Sequence, residues 1–451
     1  MCRLSNLLVG MCRNVEADEA LAQAFALLAP LPPCRELAYA WRTRAHLSML
    51  RGDNAAAIEA ADRSIALGEQ FADQEIVISA LNSKGTSMTQ IDFEAGCAVL
   101  EQSRRLAQQA GRPMQVFNAD INLIDTAIEK RLFERAMRHV TAADACAAEM
   151  QMERVTTLGR LALCQLHLGQ WNEAGELANR ALADSPDMTI NRAAAQLVLG
   201  RLRARRGDAG IWSALDEALR VAVDSGFLQH LAPVRAARAE AAWLEGDLPR
   251  CRAEAAAVYP LAQAQRHVWF LSELAYWCGL AGHAVDLPSD LATPFALQAA
   301  GRWRAAATAW QERACPYEQA QALAEADLQA EPDAAREALA IFERLGARPA
   351  AEALRQRLHS AGVRGLARGP RVSTREHPLG LTARERQVLQ LLCDGLRNAE
   401  IAARLHRSVR TVDHHLAAVF AKLGGDSRLA AFQAAQRAGL APQSGQSGTP
   451  N

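Results

Sequence analysis

Apolar residues recur at three- and four-residue spacing along most of the chain, which marks helices with one buried face. In RSVRTVDHHLAAVFAKLG, residues 407–424, the stripe is Val412, Leu416, Val419 and Leu423, and polar side chains take the other faces. Turn signals interrupt this pattern at Gly52, Asp92, Leu132, Gly169, Gly207 and Gly246. Their intervals are 40, 40, 37, 38 and 39 residues, each long enough for two helices and two turns. No alternation of short β-branched strands with helices is visible in residues 1–359. The pattern predicts an all-α chain whose larger part is a repeat array.

In the fourth unit, Gly169, Ala174, Ala178, Ala181 and Pro186 occupy turn, close-approach and helix-stop positions, as Trp41, Gly52, Ala57 and Ala61 do in the first. These segments resemble tetratricopeptide repeats with lengthened units. A single helical hairpin cannot bury its apolar face, so successive hairpins are expected to stack and share one core. The tryptophans Trp41, Trp171, Trp212, Trp243, Trp269, Trp277, Trp303 and Trp310 are assigned to packing between hairpins. A turn at Gly301 to Trp303 and the helix DAAREALAIFERLGA extend the array to residue 359.

Aligned by their turns, the second and third units place Asn82 and Thr86, then Asn122 and Thr126, at equivalent positions. Each pair is spaced i, i+4 on one helix face, at positions expected to line the concave groove. Such carboxamides can clamp the backbone of an extended peptide, since each both donates and accepts. A solvated face inherited by duplication is the alternative.

Residues 360–380 are rich in glycine, proline and serine with Arg364, Arg368, Arg371 and Arg375, and are expected to form a flexible basic linker. From 381 to 440 four helices are expected. Thr382 with Glu385 forms a capping box ahead of Val388, Leu389, Leu391 and Leu392, and Gly395 ends that helix. Asn398 is expected to cap the second helix and Ser408 the third, with a fourth starting at Asp426 or Ser427. Apolar residues from Ala402 to Val412 pack across the turn at helix-turn-helix spacing. The tail, 441–451, is expected to be disordered.

Leu381, Thr382, Arg384, Glu385, Val388, Leu389, Gly395, Asn398, Glu400, Ile401, Ala402, Leu405, Ser408, Thr411, Val412, His415, Lys422, Leu423, Gly424 and Arg428 match the pattern of LuxR-type DNA-binding domains without a gap. The chain resembles the C-terminal half of the large ATP-binding LuxR regulators, repeats followed by this module. It lacks any Gly-Lys dipeptide, hence any loop of the G-x-x-x-x-G-K-[ST] kind to cradle phosphates. The resemblance implies a third helix seated in the major groove and dimerisation through the fourth.

On a helical wheel Arg410, His414 and Ala417 lie opposite the apolar stripe, with Asp413 on the flank and His415 near the stripe. Arg410, Asp413, His414 and Ala417 are therefore the candidates for reading bases. Asp413 can accept from cytosine N4, pair with Arg410, or interact with the helix dipole. Thr382, Arg384, Arg407, Thr411, Lys422 and Arg428 are the candidates for holding phosphates.

The 451 residues are formally neutral, but residues 355–440 carry 15 Arg and Lys against 6 Asp and Glu, leaving 35 against 44 elsewhere. The basic end suits a polyanion. Half the residues are apolar and only 5% are aromatic, which favours close helix packing over bulky cores. The ten cysteines show no C-x-x-C and no metal spacing, so reduced thiols in a cytoplasmic, nucleoid-associated protein are expected, with no metal and no cofactor. No apolar run suits a secretory signal or a membrane span. No catalytic cluster is visible and no enzyme is expected. The sequence predicts a transcription regulator that binds double-stranded promoter DNA as a homodimer. A peptide, protein or small-molecule effector is expected in the groove, and RNA polymerase is a further candidate partner. The alternative is a repeat scaffold with a non-functional DNA module.

Overall fold

The computed structural model describes residues 1–152, 155–184, 190–288, 291–328, 330–363, 381, 383–423 and 428–437. The expected tail, residues 364–380 of the expected linker, Pro186, Thr382, Gly424 and the expected fourth-helix start at Asp426 or Ser427 fall outside these residues, while Ser360, the first residue of the expected linker, belongs to the preceding helix. No described residue lies in a β-strand. The chain divides into two compact units, Met1–Arg364 and Gly365–Asn451.

Each of the six periodic turns joins the two helices of one hairpin, and one further hairpin, whose turn the pattern did not mark, precedes them. The pairs are α1 (Cys2–Gly10) with α2 (Asn14–Leu28), α3 (Arg35–Leu50) with α4 (Asn54–Gln70), α5 (Gln74–Met88) with α6 (Phe93–Gln109), and α7 (Pro113–Glu129) with α8 (Phe133–Glu149). They continue as α9 (Val155–His167) with α10 (Trp171–Asp184), α11 (Ile190–Arg206) with α12 (Ile211–Ser225), and α13 (Leu228–Leu244) with α14 (Leu248–Ala256). Two local devices make these turns. Gly52, Gly169, Gly207 and Gly246 adopt positive φ, and Asp53, Asp92 and Asp247 accept backbone N–H groups as helix caps.

Alanine sets the spacing between helices. Ala57, Ala61, Ala136, Ala143, Ala174, Ala178 and Ala181 are wholly buried, so neighbouring backbones approach closely. At Gly96 a Cβ would stand 2.3 Å from the Thr89 backbone nitrogen, which excludes any larger residue without a shift. Trp171, Trp269, Trp277 and Trp310 are buried, as the packing role requires, and Trp41, Trp212, Trp243 and Trp303 are half-buried.

Beyond α14 the regular hairpins give way to shorter pieces, a change the turn signals did not reveal. These are α15 (Tyr259–Ala264), α16 (Val268–Leu280), α17 (Pro294–Ala299), α18 (Trp303–Glu312), α19 (Pro316–Leu323), α20 (Pro332–Leu345) and α21 (Arg348–Ser360). Within the first unit the array curls back on itself. Phe227 packs into the cluster of Leu8, Val9, Ala17, Leu21 and Leu47, and Asn14 Nδ2 donates to the Ser225 carbonyl at 2.9 Å. Leu345 and Pro316 cover the turn at Gly169, and Pro349 lies beside the one at Gly207.

A buried ionic network links the inner helices. Arg201 and Arg205, one turn apart on α11, meet Glu240 on α13 at 2.9 and 2.6 Å. Arg201 also reaches Glu273 on α16 at 2.8 Å, and Arg205 reaches Glu318 on α19 at 2.9 Å. His167 Nδ1 lies 2.9 Å from the same Glu318 oxygen. Burial, with Arg131 nearby, pushes the imidazole down to about 3, so at neutral pH it is uncharged and its Nδ1 proton donates to Glu318. Burial alone would raise the Glu318 carboxyl, but Arg205 and His167 hold it well below the usual carboxylate range.

Glu325 shows the opposite balance. Burial pushes its carboxyl up to about 7, although Gln298 Nε2 and the Tyr276 hydroxyl both donate to Oε1, at 2.6 and 3.0 Å. A carboxyl raised on folding makes the folded state hold a proton the unfolded chain releases, so stability falls as pH rises from 4.5 towards 7. Glu325→Gln keeps the accepting oxygen and removes the ionisation. It should exceed the wild type in stability at pH 8 by about 1–3 kcal/mol and match it near pH 4.5, read by urea denaturation at both values.

Candidate nucleic-acid interface

The second unit contains α22 (Ala383–Cys393), α23 (Asn398–Arg404), α24 (Val409–Leu423) and α25 (Arg428–Arg437). Their core is Leu381, Val388, Leu389, Leu392, Ile401, Ala402, Val412, Leu416, Val419, Ala431 and Ala435, with Leu405 and Leu423 packed against it. The stripe read from residues 407–424 is thus the buried face of α24. Burying about three such side chains contributes roughly 5–9 kcal/mol before conformational entropy is subtracted, which ties α24 to the two preceding helices.

Local chemistry sets both ends of the turn. Ser408 caps α24, its hydroxyl accepting the Thr411 N–H at 3.2 Å and lying 2.8 Å from the Thr411 hydroxyl. At α23 the expected cap is corrected by one residue. Arg397 holds the N-cap position and its N–H donates to Glu400 at 2.6 Å, so Asn398 is the first helical residue. Its carboxamide is thereby free for a longer reach. Asn398 Nδ2 donates to Asp413 Oδ1 at 2.7 Å, while its oxygen accepts from Arg428 at 2.6 Å. Arg428 also donates to the Leu396 carbonyl at 2.5 Å. One asparagine therefore joins α24 to the start of α25.

Arg410, Asp413, His414 and Ala417 are all exposed and share the outer side of α24. Asp413 is engaged by Asn398, and the Arg410 side chain makes no hydrogen bond or ion pair with a described residue. His415 is half-buried, at the margin of the core. Among the phosphate candidates, Arg384 and Arg407 are exposed, Arg384 donating to Gln387 at 2.7 Å. Thr411 is half-buried and engaged by Ser408. Lys422 pairs with the buried Glu385 at 2.6 Å and Arg428 is held as above, so both would reach phosphate only by exchanging a partner. Exposed Arg386, Arg397 and Arg404 add positive charge to the same unit.

The groove candidates belong to the first unit. Asn122 Nδ2 donates to Asn82 Oδ1 at 2.8 Å, bridging the two repeats directly. Thr86 and Thr126 bond the carbonyls of Asn82 and Asn122 one turn back, at 2.9 and 2.8 Å. Thr86, Asn122 and Thr126 line a cavity of about 350 Å³, whereas Asn82 lines a neighbouring one that Asn122 also borders. The repeat period located these four residues, but not their mutual bonding.

Asn398 and the network around Arg205 went unread as linking groups. Asn398 was legible only as a helix start. The i, i+4 spacing of Arg201 and Arg205 was the available signal for the network, but Arg203 and Arg206 stand among them and their acids come from three distant helices.

Residues 379–435 match the family described as bacterial regulatory proteins, luxR family. A protein of Mycobacterium tuberculosis named for an HTH-type transcriptional regulator is 49% identical over 59 residues, 13% of this chain and 7% of the relative. A response regulator of Synechocystis is 44% identical over 62 residues, 14% of this chain and 27% of the relative. The chain thus spans far less than two thirds of either. The solved structure of a circular tandem repeat protein aligns over 97% of this chain and 93% of its own at 15% identity, with a TM-score of 0.17, too low to bear on the fold.

Proposed function

Because the C-terminal module of this chain is a LuxR-family helix-turn-helix domain, we propose that the protein is a sequence-specific regulator of transcription. The observation that carries this reading is the two-sidedness of α24. Its apolar face is consumed by the core, and Arg410, Asp413, His414 and Ala417 stand exposed on the other side. In the major groove Arg410 and His414 reach base edges, while Asp413, oriented by Asn398, accepts from cytosine N4. Arg384 and Arg407 hold phosphates, supplying the salt-sensitive part of the affinity.

The regulator binds as a dimer through α25, and the repeat array receives a ligand or partner through its concave groove. Half-sites then lie about one DNA turn apart, or a multiple of it. Selection of duplexes from a random pool by the full-length protein should enrich one motif, with two half-sites at that spacing. A pool that stays random after repeated rounds would reject the reading.

The groove has its own test. Replacing both Asn82 and Asn122 by Ala removes the bridge between α5 and α7 as well as the polar lining. The double variant should lose at least tenfold in effector response while its DNA affinity without effector is unchanged, read by fluorescence anisotropy. An unaltered response removes these four residues from the site.

A further inference from the structure

The cavity lined by Thr86, Asn122 and Thr126 is walled by residues of α3, α5, α7, α9, α11, α13 and α16. Its volume, about 350 Å³, is that of a small-molecule site. Its apolar lining includes Leu50, Leu163, Leu197, Pro233, Val234 and Phe270. Charged residues line it as well, and most of their charges are already matched. Arg201 holds Glu240 and Glu273, Arg160 makes two 2.6 Å bonds to Asp125, and Glu129 lies 3.3 Å from both His267 and Lys130.

Arg131, at the end of α7, is different. It is 7% exposed and lines the cavity, yet no carboxylate of a described residue stands within 4 Å of it. One terminal nitrogen donates to the carbonyls of Ile128 and Glu129 at 3.1 and 3.2 Å, and its Nε has no partner. The guanidinium also faces the Trp269 ring, 5.6 Å from its centre. Glu318, whose carboxylate feels Arg131, takes Arg205 and His167 on Oε1, while its Oε2 has no hydrogen-bond partner and makes no ion pair with Arg131.

A guanidinium keeps its charge in any protein environment and presents donors only. Buried against neutral carbonyls, it lacks the anionic oxygen that would offset its desolvation. We propose that this cavity binds a small monocarboxylic acid, its carboxylate on Arg131 and its apolar body against Leu163, Leu197, Val234 and Phe270. The planar two-oxygen fork of a carboxylate suits a guanidinium. A phosphate dianion fits less well, because Arg131 is the one lining cation without an ion pair to a described residue and offsets a single negative charge. The assignment names the ligand class for the receiving role proposed above and rests on that reading only for its regulatory consequence.

The test uses the full-length protein, with hexanoate, octanoate, phenylacetate and indole-3-propionate as probes against their own primary amides and inorganic phosphate. Calorimetry should find at least one acid bound tenfold or more tightly than its amide, with a rise in melting temperature and a change in tryptophan emission. Arg131→Gln should bring acid and amide within about twofold of each other. Should that variant misfold, Leu163→Trp, at a half-buried position on the cavity lining, should abolish binding of the same acid.

No binding by any of the four acids, equal binding of acid and amide by the wild type, or tighter binding of phosphate would overturn the assignment. Acid binding that leaves DNA affinity unaltered upholds the site and removes the regulatory reading. Selective DNA binding without acid binding does the reverse.

Discussion

Arg205→Ala should destabilise the repeat array by about 3–5 kcal/mol, the largest loss expected of any single replacement in the first unit. The side chain is 2% exposed and lies between Glu240 and Glu318, with its guanidinium 3.9 Å from the centre of the Tyr317 ring. Truncation leaves two buried carboxylates with one fewer cation, Glu240 dependent on Arg201 and Glu318 on a neutral histidine. It also removes the only cationic link from α11 to α19 among the described residues. Arg205→Met, which restores most of the packed stem, should recover less than half of the loss if charge is the cause.

Acid acts in the same direction on the wild type. The unfolded His167 takes a proton near 6.5 and the folded one only near 3, so stability falls as pH drops through that range. The lowered Glu318 carboxyl adds a loss once the pH falls below the ordinary carboxylate value. Urea denaturation followed by circular dichroism measures all three proteins. A loss below about 1 kcal/mol for Arg205→Ala would mean that the network is dispensable.

The second large effect separates affinity from selectivity in the DNA module. Arg407→Ala should weaken binding to all duplexes alike and reduce the slope of log affinity against log salt by about one. His414→Ala should cost about 1–3 kcal/mol on the preferred sequence and little on random DNA. The reason is positional. Arg407 is exposed just before the cap of α24, the position proposed above for a phosphate contact, whereas His414 stands in the middle of the outer face. Anisotropy titrations at several salt concentrations, on the selected and a scrambled duplex, read both quantities. Equal losses on both duplexes from both variants would reject the division.

What the sequence made legible followed from periodicity. The six turn signals found the hairpins from α3 to α14 because one fold unit recurs with one spacing, and the apolar stripe of α24 is its buried face. The capping serine at 408 was legible because its chemistry is local. Contacts between elements far apart in the chain were not. Glu318 meets Arg205 across 113 residues and Asn14 meets Ser225 across 211, and neither separation leaves a mark on local pattern. The irregular pieces after α14 have no period, so only the glycine at 301 and the helix at 332–345 announced them. In the DNA module the miss was one of register. Asn398 looked like a cap because asparagine favours that position, but Glu400 completes the cap from the Arg397 N–H and frees the carboxamide to hold Asp413 and Arg428.

The exposed side of α24 reading bases in the major groove is the claim on which the functional account stands. Dimethyl sulfate modifies guanine N7 in that groove, so methylation protection on the enriched duplex, with the full-length protein, tests it most directly. The account predicts protected guanines within each half-site, lost in Arg410→Ala but retained in Arg384→Ala. A folded protein that leaves every guanine as reactive as in free DNA, or protects them equally on scrambled sequence, would contradict it.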